Sequence, residues 1–313
     1  MTLLWPVVSL HQSITMARAA RQGPRHLWAR AWAAALLRNV PPWEFADYQF
    51  FRPGTPQTGW RFTRETAAAL TSMTDRDTAF LIADKARFAE WLDEQGIPAV
   101  PTLTIFEDGN SLVTKPPHGS QGQGVQAWIA CDGGFRAHAG FGPGKGPTLT
   151  IAELEAHIAR NNLIAQPLIA SPLGQAAIRV VTYREETPAQ VFDSLIQVAA
   201  PSDFCTHRGP FRRINAASGQ VLPPGPGQIR SIFAPDLGEV ASEGQSVPGW
   251  TQIIDGLLRA HDSLTPPIPL IGWDILIGPD GPLVLEGNTG IGLHLFQLDR
   301  LEPANVPMAE RLS

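Results

Sequence analysis

Cysteine is scarce in this chain, which has two among its 313 residues, Cys131 and Cys205. Two cysteines cannot build a disulfide scaffold, and neither belongs to a CxxC or Cys/His pattern that would bind zinc. The chain also lacks an apolar run of the roughly 18 residues that a membrane span needs. Its apolar residues 3–10 are not preceded by the basic segment of a signal peptide. We therefore expect a cytoplasmic protein.

An excess of positive charge is missing as well. The net charge is −5 and the isoelectric point is near 5.9, which argues against a nucleic-acid partner. Hydrophobic residues make up 43% of the chain and charged residues 17%, as in a folded globular protein. A chain of 313 residues has room for one large domain or two to three smaller ones.

Residues 13–38 are basic, unlike the acidic whole, and their apolar spacing predicts a helix. The positive charges are Arg18, Arg21, Arg25, Arg30 and Arg38. A basic amphipathic helix can lie on an anionic membrane surface, so one interpretation is peripheral contact with the inner face of the membrane through residues 13–38. The alternative is a solvated face whose arginines pair with acids elsewhere in the fold.

Residues 271–288 carry the strongest chemical signal. Two apolar runs flank a Gly-Pro-Asp-Gly turn, which predicts a β-hairpin. If the hairpin is reflected about Asp280, Asp274 falls opposite Glu286, and Asn288 shares their face. Two carboxylates at that distance repel each other unless a cation lies between them, and an oxygen-only set suits Mg²⁺. The alternative is a hairpin whose acids point at water.

A second chemical signal lies in residues 112–129. A predicted strand ends at Lys115, a loop with three glycines follows, and another strand begins at Val125. Glycines let backbone N–H groups approach phosphate oxygens, and a lysine adds charge. The loop matches neither a Walker A motif nor the GxGxxG fingerprint. A phosphate clamp and a loose surface hairpin both fit it.

Other segments complete a mixed pattern of helices and strands. Asp84 is a predicted helix cap, with Lys85 in the first turn, where the helix dipole disfavours a cation. A strand over residues 163–169 is interrupted by Pro167, and a later apolar strand carries Arg179 on its opposite face. Residues 100–106 are predicted as a strand and residues 133–147 as a glycine-rich loop. The arginines at 208, 212 and 213 fit a solvated loop or an anionic-substrate site.

In this order the motifs resemble the ATP-grasp superfamily, over residues 80–297. The resemblance rests on Asp84-Lys85, Lys115-Pro116 with the glycine loop, the residues from Gln166 to Ile169, Arg179, Asp274 and Glu286-Gly287-Asn288. The amino-acid sequence of residues 272–274 and 281–288 is most similar to that of the sugar-transfer-associated ATP-grasp branch. The resemblance implies an α+β, ATP-grasp fold in which two α/β subdomains clasp ATP between antiparallel sheets. The expected divisions are an N-terminal helical region (1–78), a lid subdomain (79–163) and a metal-binding subdomain (164–313).

The resemblance also implies a role for each motif. Lys85 and Lys115 would hold the nucleotide phosphates, and Arg179 would lie near the γ-phosphate or the acyl phosphate. Mg²⁺, or Mn²⁺ in its place, would be bound by Asp274, Glu286 and Asn288. The flap over the phosphates would be formed by Gly119, Ser120, Gln121, Gly122 and Gly124. The hinge that reads adenine would be formed by Gln166, Pro167, Leu168 and Ile169, with Gln166 replacing the glutamate often found there.

One histidine is a further candidate. His294 follows the metal motif and a Gly290-Ile291-Gly292 turn that could bind an anion, so we expect it to act as a base or a phosphate ligand. An isolated histidine is more often structural or exposed to solvent, and that reading stays open for His294.

The resemblance implies an ATP- and Mg²⁺-dependent ligase. Such an enzyme converts a carboxylate into an acyl phosphate, which an amine or another nucleophile then attacks, here in cell-surface polysaccharide or small-peptide biosynthesis. Two alternatives remain open. One is a phosphotransferase that acts on a hydroxyl, and the other is a nucleotide-binding assembly factor that docks at the membrane without turnover.

Overall fold

The structure is a computed structural model. It describes residues 24–38, 40–51, 55, 58–107, 109–118, 124–139, 142–174, 176–185, 188–199, 206, 210–229 and 243–304. The chain divides into two compact units. The first unit consists of Met1–Thr71, Pro223–Leu237 and Gly290–Ser313, and the second of Ser72–Leu222 and Gly238–Thr289.

The helices of the described residues, in chain order, are α1 (Pro24–Arg38), α2 (Pro42–Asp47), α3 (Thr63–Met73), α4 (Arg76–Ala83), α5 (Lys85–Glu94), α6 (Ile151–Arg160), α7 (Pro226–Ile229), α8 (Trp250–Ser263) and α9 (His294–Arg300). The described helices do not include one that combines the length and the apolar content required to cross a membrane. The predicted helix over residues 13–38 is confirmed from Pro24 onward. Residues 13–23 lie outside the described part of the chain.

Aromatic side chains form the core of the first unit. Phe45, Tyr48, Phe50 and Trp60 are buried, and the rings of Tyr48 and Trp60 stack with their centroids 4.2 Å apart. The buried amide of Gln297, in α9, donates from Nε2 to the Tyr48 hydroxyl over 2.9 Å. Such buried rings contribute strongly to stability because of their large apolar area.

The second unit contains two antiparallel five-stranded sheets. The first has the order β4-β3-β2-β1-β5. Its strands are β1 (Leu112–Lys115), β2 (Gln126–Cys131), β3 (Gly134–Ala139), β4 (Gly142–Leu149) and β5 (Ile164–Pro167). α6 contacts β3 and β4, and its Thr150 cap and Glu153 form the capping box that the sequence predicts.

The second sheet has the order β10-β9-β6-β7-β8. Its strands are β6 (Ala176–Tyr183), β7 (Gln190–Val198), β8 (Phe211–Arg213), β9 (Leu270–Gly278) and β10 (Gly281–Asn288). The residues of β6 alternate between two faces, so Ile178 and Val180 enter the core while Arg179 points to the opposite face. α8 packs on the core side and buries Trp250, Ile253 and Leu257.

A buried hydrogen-bond chain ties α8 to this sheet. Trp273 Nε1 donates to Thr182 Oγ1 over 2.7 Å, and Thr182 Oγ1 lies 2.8 Å from His261 Nδ1. His261 Nε2 lies 2.7 Å from the Ile268 carbonyl, which only accepts, so Nε2 carries the proton and Nδ1 accepts from Thr182. Burial lowers the pKa of His261 to about 4, which keeps the ring neutral.

The predicted α+β class with antiparallel sheets is confirmed. Two local predictions were wrong. Residues 100–106 do not form a strand: Pro101 has no N–H to donate, and the neighbouring chain makes only an isolated bridge, between Ala99 and Val284. Residues 133–147 are not a loop, because β3 and β4 pair there as antiparallel neighbours. The three-part domain division stays a prediction.

Candidate active site

Three charged side chains lie in one row across the second sheet. Glu286 in β10 is the cross-strand partner of Asp274 in β9, and Asp274 is the partner of Arg179 in β6. Directly paired residues on neighbouring strands share a face. We call this the site face. It is opposite the face that packs against α8.

A β-bulge makes the pairing of Asp274 with Glu286. From the turn outward, Gly278 pairs with Gly281 and Ile275 with Val284, and the register then shifts between Val284 and Glu286. Without this shift, the regular ladder would place Leu285 opposite Asp274. The predicted pair is therefore confirmed, but a bulge produces it and not a turn centred on Asp280.

Arg179 and Asp274 form a two-pronged ion pair. Arg179 Nε donates to Asp274 Oδ1 over 2.8 Å, and Nη2 donates to Oδ2 over 2.7 Å. The carboxylate of Asp274 raises the pKa of Arg179. Asn288 Nδ2 donates to Asp274 Oδ2 over 3.3 Å, so the structure brings three of the predicted site residues into direct contact.

The negative charge of Glu286 is less fully compensated than that of Asp274, which has the two-pronged ion pair with Arg179. Burial and the nearby charge of Asp274 raise its pKa, against the opposing effect of Lys115 and Lys85. Glu286 forms an ion pair with Lys85, whose Nζ lies 3.7 Å from Glu286 Oε2. A buried carboxylate beside a second one favours a cation in its neighbourhood.

Lys85 and Lys115 reach this cluster from α5 and β1. Both are buried, with 8% and 5% of the residue exposed. Burial lowers the pKa of Lys115 to about 8, Glu286 and Asp274 raise it, and the charge of Lys85 lowers it further. The cluster therefore holds three cationic side chains against two carboxylates, an excess that suits an anionic ligand.

The start of α5 positions Lys85. Asp84 caps the helix by accepting from Ala86 N and Arg87 N, as the sequence predicts. The Lys85 N–H donates to the Pro117 carbonyl over 3.2 Å and so joins α5 to the base of the loop that follows β1. This backbone hydrogen bond joins Lys85 to the segment just after Lys115, so the two lysines predicted to bind phosphate lie on connected parts of the backbone.

The donor set fits Mg²⁺ by its chemistry. Asp274 and Glu286 offer carboxylate oxygens, and the Asn288 amide keeps its oxygen because its nitrogen donates to Asp274. Among the described residues no group of three His, Cys, Asp or Glu side chains is placed to hold a metal. The predicted metal set has only two carboxylates, and its third oxygen donor is the amide of Asn288, which is not one of these four residue types.

The predicted hinge lies at the end of β5. Gln166 pairs with Val113 of β1, and its buried side chain donates from Nε2 to the Val100 carbonyl over 3.1 Å. The strand ends at Pro167, and the Leu168 N–H donates to the Ser111 carbonyl over 3.0 Å. The side chain of Gln166 therefore links the end of β5 to the backbone at Val100, while Ile169 follows outside the strand.

The flap is described only at its two ends. β1 and β2 pair as the predicted antiparallel hairpin, and Gly124 has a positive φ of 72°. Gly119, Ser120, Gln121 and Gly122 lie outside the described residues, and their phosphate contacts stay predictions.

His294 belongs to the first compact unit. Its Nε2 lies 3.6 Å from Asp47 Oδ2, at the start of α9. The structure gives His294 an acidic neighbour that the sequence did not indicate. Its proposed role toward phosphate stays a prediction.

Arg213 is a site-face residue whose placement the sequence left open. It is the cross-strand partner of Leu195, which is itself the partner of Arg179, so Arg213 shares the site face. Arg213 Nη2 lies 3.3 Å from Oδ1 of the buried Asp193. The available signal was the two-residue spacing from Phe211 to Arg213, because alternate residues of a strand share a face, but a three-residue strand is too short to show this clearly.

No protein-family model and no curated protein matches the chain. Among solved structures, it is similar to the ATP-grasp ligase PsnB complexed with a minimal precursor, at 17% identity and a TM-score of 0.43 over 77% of this chain and 62% of that one. It is similar to an L-amino acid ligase from Bacillus licheniformis, at 12% identity and a TM-score of 0.42 over 75% of this chain and 49% of that one. It is also similar to D-alanyl-alanine synthetase A from Vibrio cholerae, at 14% identity and a TM-score of 0.43 over 74% of this chain and 63% of that one.

The chain thus spans from about half to just under two thirds of the length of these three solved chains. Similarity at this level carries no argument about activity.

Proposed function

We propose that this chain is an ATP- and Mg²⁺-dependent ligase of the ATP-grasp superfamily. It activates a carboxylate as an acyl phosphate, which an amine or another nucleophile then attacks. The observation that carries the proposal is the buried cluster in which Lys85 and Lys115 meet Glu286, while Asp274 pairs with Arg179. These are the residue types that phosphoryl transfer needs, because it depends on positioning and charge neutralisation.

Each group has a distinct task in this proposal. Lys85 and Lys115 bind phosphate oxygens, and their burial strengthens that attraction by excluding water. Asp274, Glu286 and Asn288 would hold Mg²⁺, which supplies charge neutralisation for the phosphates when bound; Mn²⁺ takes the same oxygen donors. Arg179 fixes Asp274 in place through two hydrogen bonds, and its positive charge would neutralise the transferred phosphate.

The carboxylate substrate is supported by Arg213. The row that starts at Glu286 reaches Arg213 two strands beyond Arg179, which is about 10 Å at the usual spacing of strands. A guanidinium recognises a carboxylate with paired donors, and Asp193 holds this one in position. The distance suits an acid of amino-acid or short-peptide size lying along the site face.

The sugar-transfer-associated branch and a role in cell-surface polysaccharide or small-peptide biosynthesis belong to the proposal. Both assignments rest on the amino-acid sequence of residues 272–274 and 281–288. The Gly272-Trp273-Asp274 segment also has a structural role. Trp273 donates to Thr182, which in turn hydrogen-bonds to His261 on the core side of the sheet.

The test is ADP release with MgATP and a panel of amino acids, dipeptides and sugar acids, with hydroxylamine as the trapping nucleophile. An acyl phosphate gives a hydroxamate and ADP in equal amounts. Transfer to a hydroxyl gives a phosphate ester and no hydroxamate, and would replace the ligase with the phosphotransferase. Tight MgATP binding without turnover of any acid would favour a non-catalytic nucleotide-binding protein instead.

A further inference from the structure

The outward side of α1 is largely apolar. Leu36 and Leu37 are 78% and 83% exposed, and Trp28 is 38% exposed. Ala29 and Ala33 are exposed as well. At about 100° per residue these five side chains lie within one half of the helix circumference, together with the exposed His26, and we call this surface the α1 outer face.

The inward side of the same helix is apolar too. Leu27 and Ala31 are fully buried. Arg30 does not serve the outer face, because it donates to the Phe50 carbonyl over 3.1 Å and to that of Phe51 over 3.5 Å. A helix that is apolar on both sides is typical of one with a partner on each. The first unit supplies one partner, and the α1 outer face needs the other.

Charge around this helix indicates which partner that is. Residues 1–43 contain five arginines and no aspartate or glutamate, whereas residues 44–313 contain 19 basic and 29 acidic side chains. The first segment therefore has a net charge of +5 and the remainder a net charge of −10. An anionic surface attracts the first segment and repels the rest of the chain.

We propose that the α1 outer face docks on an anionic lipid surface. Tryptophan and leucine on one side of a helix, with arginines nearby and no acid, are the composition of helices that lie in the membrane interface. Trp28 suits the headgroup level because its ring is apolar and its indole N–H is polar. The acid-free segment confines the contact to this end of the sequence, so the acidic remainder stays off the surface. The docking does not require nucleotide turnover and stands apart from the proposed reaction.

Vesicle cosedimentation tests this docking with the full chain. The probes are vesicles of phosphatidylcholine alone and vesicles in which part of it is replaced by phosphatidylglycerol. We expect binding to the anionic vesicles, much less to the neutral ones, and a decrease as salt is raised. The double substitution Leu36→Glu/Leu37→Glu should weaken anionic-vesicle binding at least about tenfold, since it removes apolar area and adds repulsion.

Ile105→Glu is the matched control. Ile105 is an apolar side chain 74% exposed in the second unit, so the substitution makes the same chemical change at a comparable exposure. It should leave vesicle binding unchanged, and thermal unfolding should show all variants folded.

Three outcomes would overturn the proposal. The first is no binding to anionic vesicles. The second is equal losses in the helix variant and the Ile105→Glu control. The third is a wild-type dimer in light scattering that the double substitution dissociates, since a second copy of the chain would then cover the α1 outer face.

Discussion

The Lys85 ammonium lies 3.7 Å from the Glu286 carboxylate, and the glycine that follows Glu286 allows this approach. The position that a Cβ of Gly287 would occupy faces α4 and α5. A Cβ at this position would lie 2.7 Å from Phe88 Cζ and 2.9 Å from Ile82 Cγ2. The helix that carries Lys85 therefore packs directly on the backbone of the strand that carries Glu286.

Gly287→Ala should push α5 away from β10 and cost about 1–3 kcal/mol of unfolding free energy, the usual cost of overpacking a core. It should also weaken nucleotide binding, because Lys85 moves with the helix. Urea unfolding and calorimetry measure the two effects. Gly290→Ala is the control, since a Cβ there meets no atom within 4 Å. Equal stability of the two variants would contradict this packing.

Glu286→Gln should raise the melting temperature of the ligand-free protein and abolish turnover. Burial and Asp274 raise the pKa of Glu286, so the folded state disfavours its charge relative to the unfolded chain. The neutral amide removes that cost, and it also weakens the proposed metal site because the oxygen donor loses its negative charge. Differential scanning calorimetry without Mg²⁺ checks the sign. A clear fall in melting temperature would show that Lys85 and Lys115 compensate the carboxylate fully.

MgATP affinity should fall as pH rises from about 7 to 9, since the Lys115 ammonium has a pKa of about 8 and loses its charge in this range. Bound phosphate favours the charged lysine, so the affinity loss follows the pKa of the free protein. Lys115→Arg keeps its charge throughout and should remove most of the pH dependence. Isothermal titration calorimetry at several pH values compares the two. The same slope in both proteins would assign the titration to another group.

Acid should destabilise the second unit through His261. Its pKa is about 4 in the folded protein and near the ordinary 6.5 when unfolded, so the unfolded state takes up a proton first as pH falls. The stabilisation is fully present above pH 6.5 and is lost toward pH 4. Between pH 7 and pH 5 the loss is about 2 kcal/mol.

Urea unfolding at the two pH values measures this loss. His261→Gln should show a smaller loss between them, although it is less stable at pH 7 because the bonds to Thr182 and Ile268 change. His157→Gln, at a partly exposed position of α6, is the matched control and should show the wild-type loss between the two pH values. An undiminished acid loss in His261→Gln would exclude the buried ring as its source.

Much of the site was predictable because its residues lie in local patterns. Alternation along a hairpin placed Asp274, Glu286 and Asn288 on one face, and the cap at Asp84 placed Lys85. The bulge that makes the pair was not predictable, because nothing in the local sequence distinguishes Leu285 from a regular strand residue. Long-range facts were equally hidden: the contact of Arg179 with Asp274 joins residues 95 positions apart.

The errors have identifiable physical causes. The frequent glycines of residues 133–147 predict a loop, although β3 and β4 accommodate them as antiparallel partners at the sheet edge. The strand expected over residues 100–106 has strand-like residues but only scattered backbone partners, such as the Leu103 N–H with the Ala165 carbonyl. The placement of Arg213 stayed open between a solvated loop and an anionic-substrate site because β8 is only three residues long.

Calorimetric titration of the protein with MgATP is the most direct test of the central claim, that the charge cluster of Lys85, Lys115 and Glu286 is a nucleotide site. We predict one MgATP per chain, bound about 10- to 100-fold more weakly by Lys115→Ala, since a charge-assisted contact contributes about 1.5–3 kcal/mol. Ile105→Glu should bind as the wild type. Absence of MgATP binding by the wild type, or unchanged affinity in Lys115→Ala, would contradict the account.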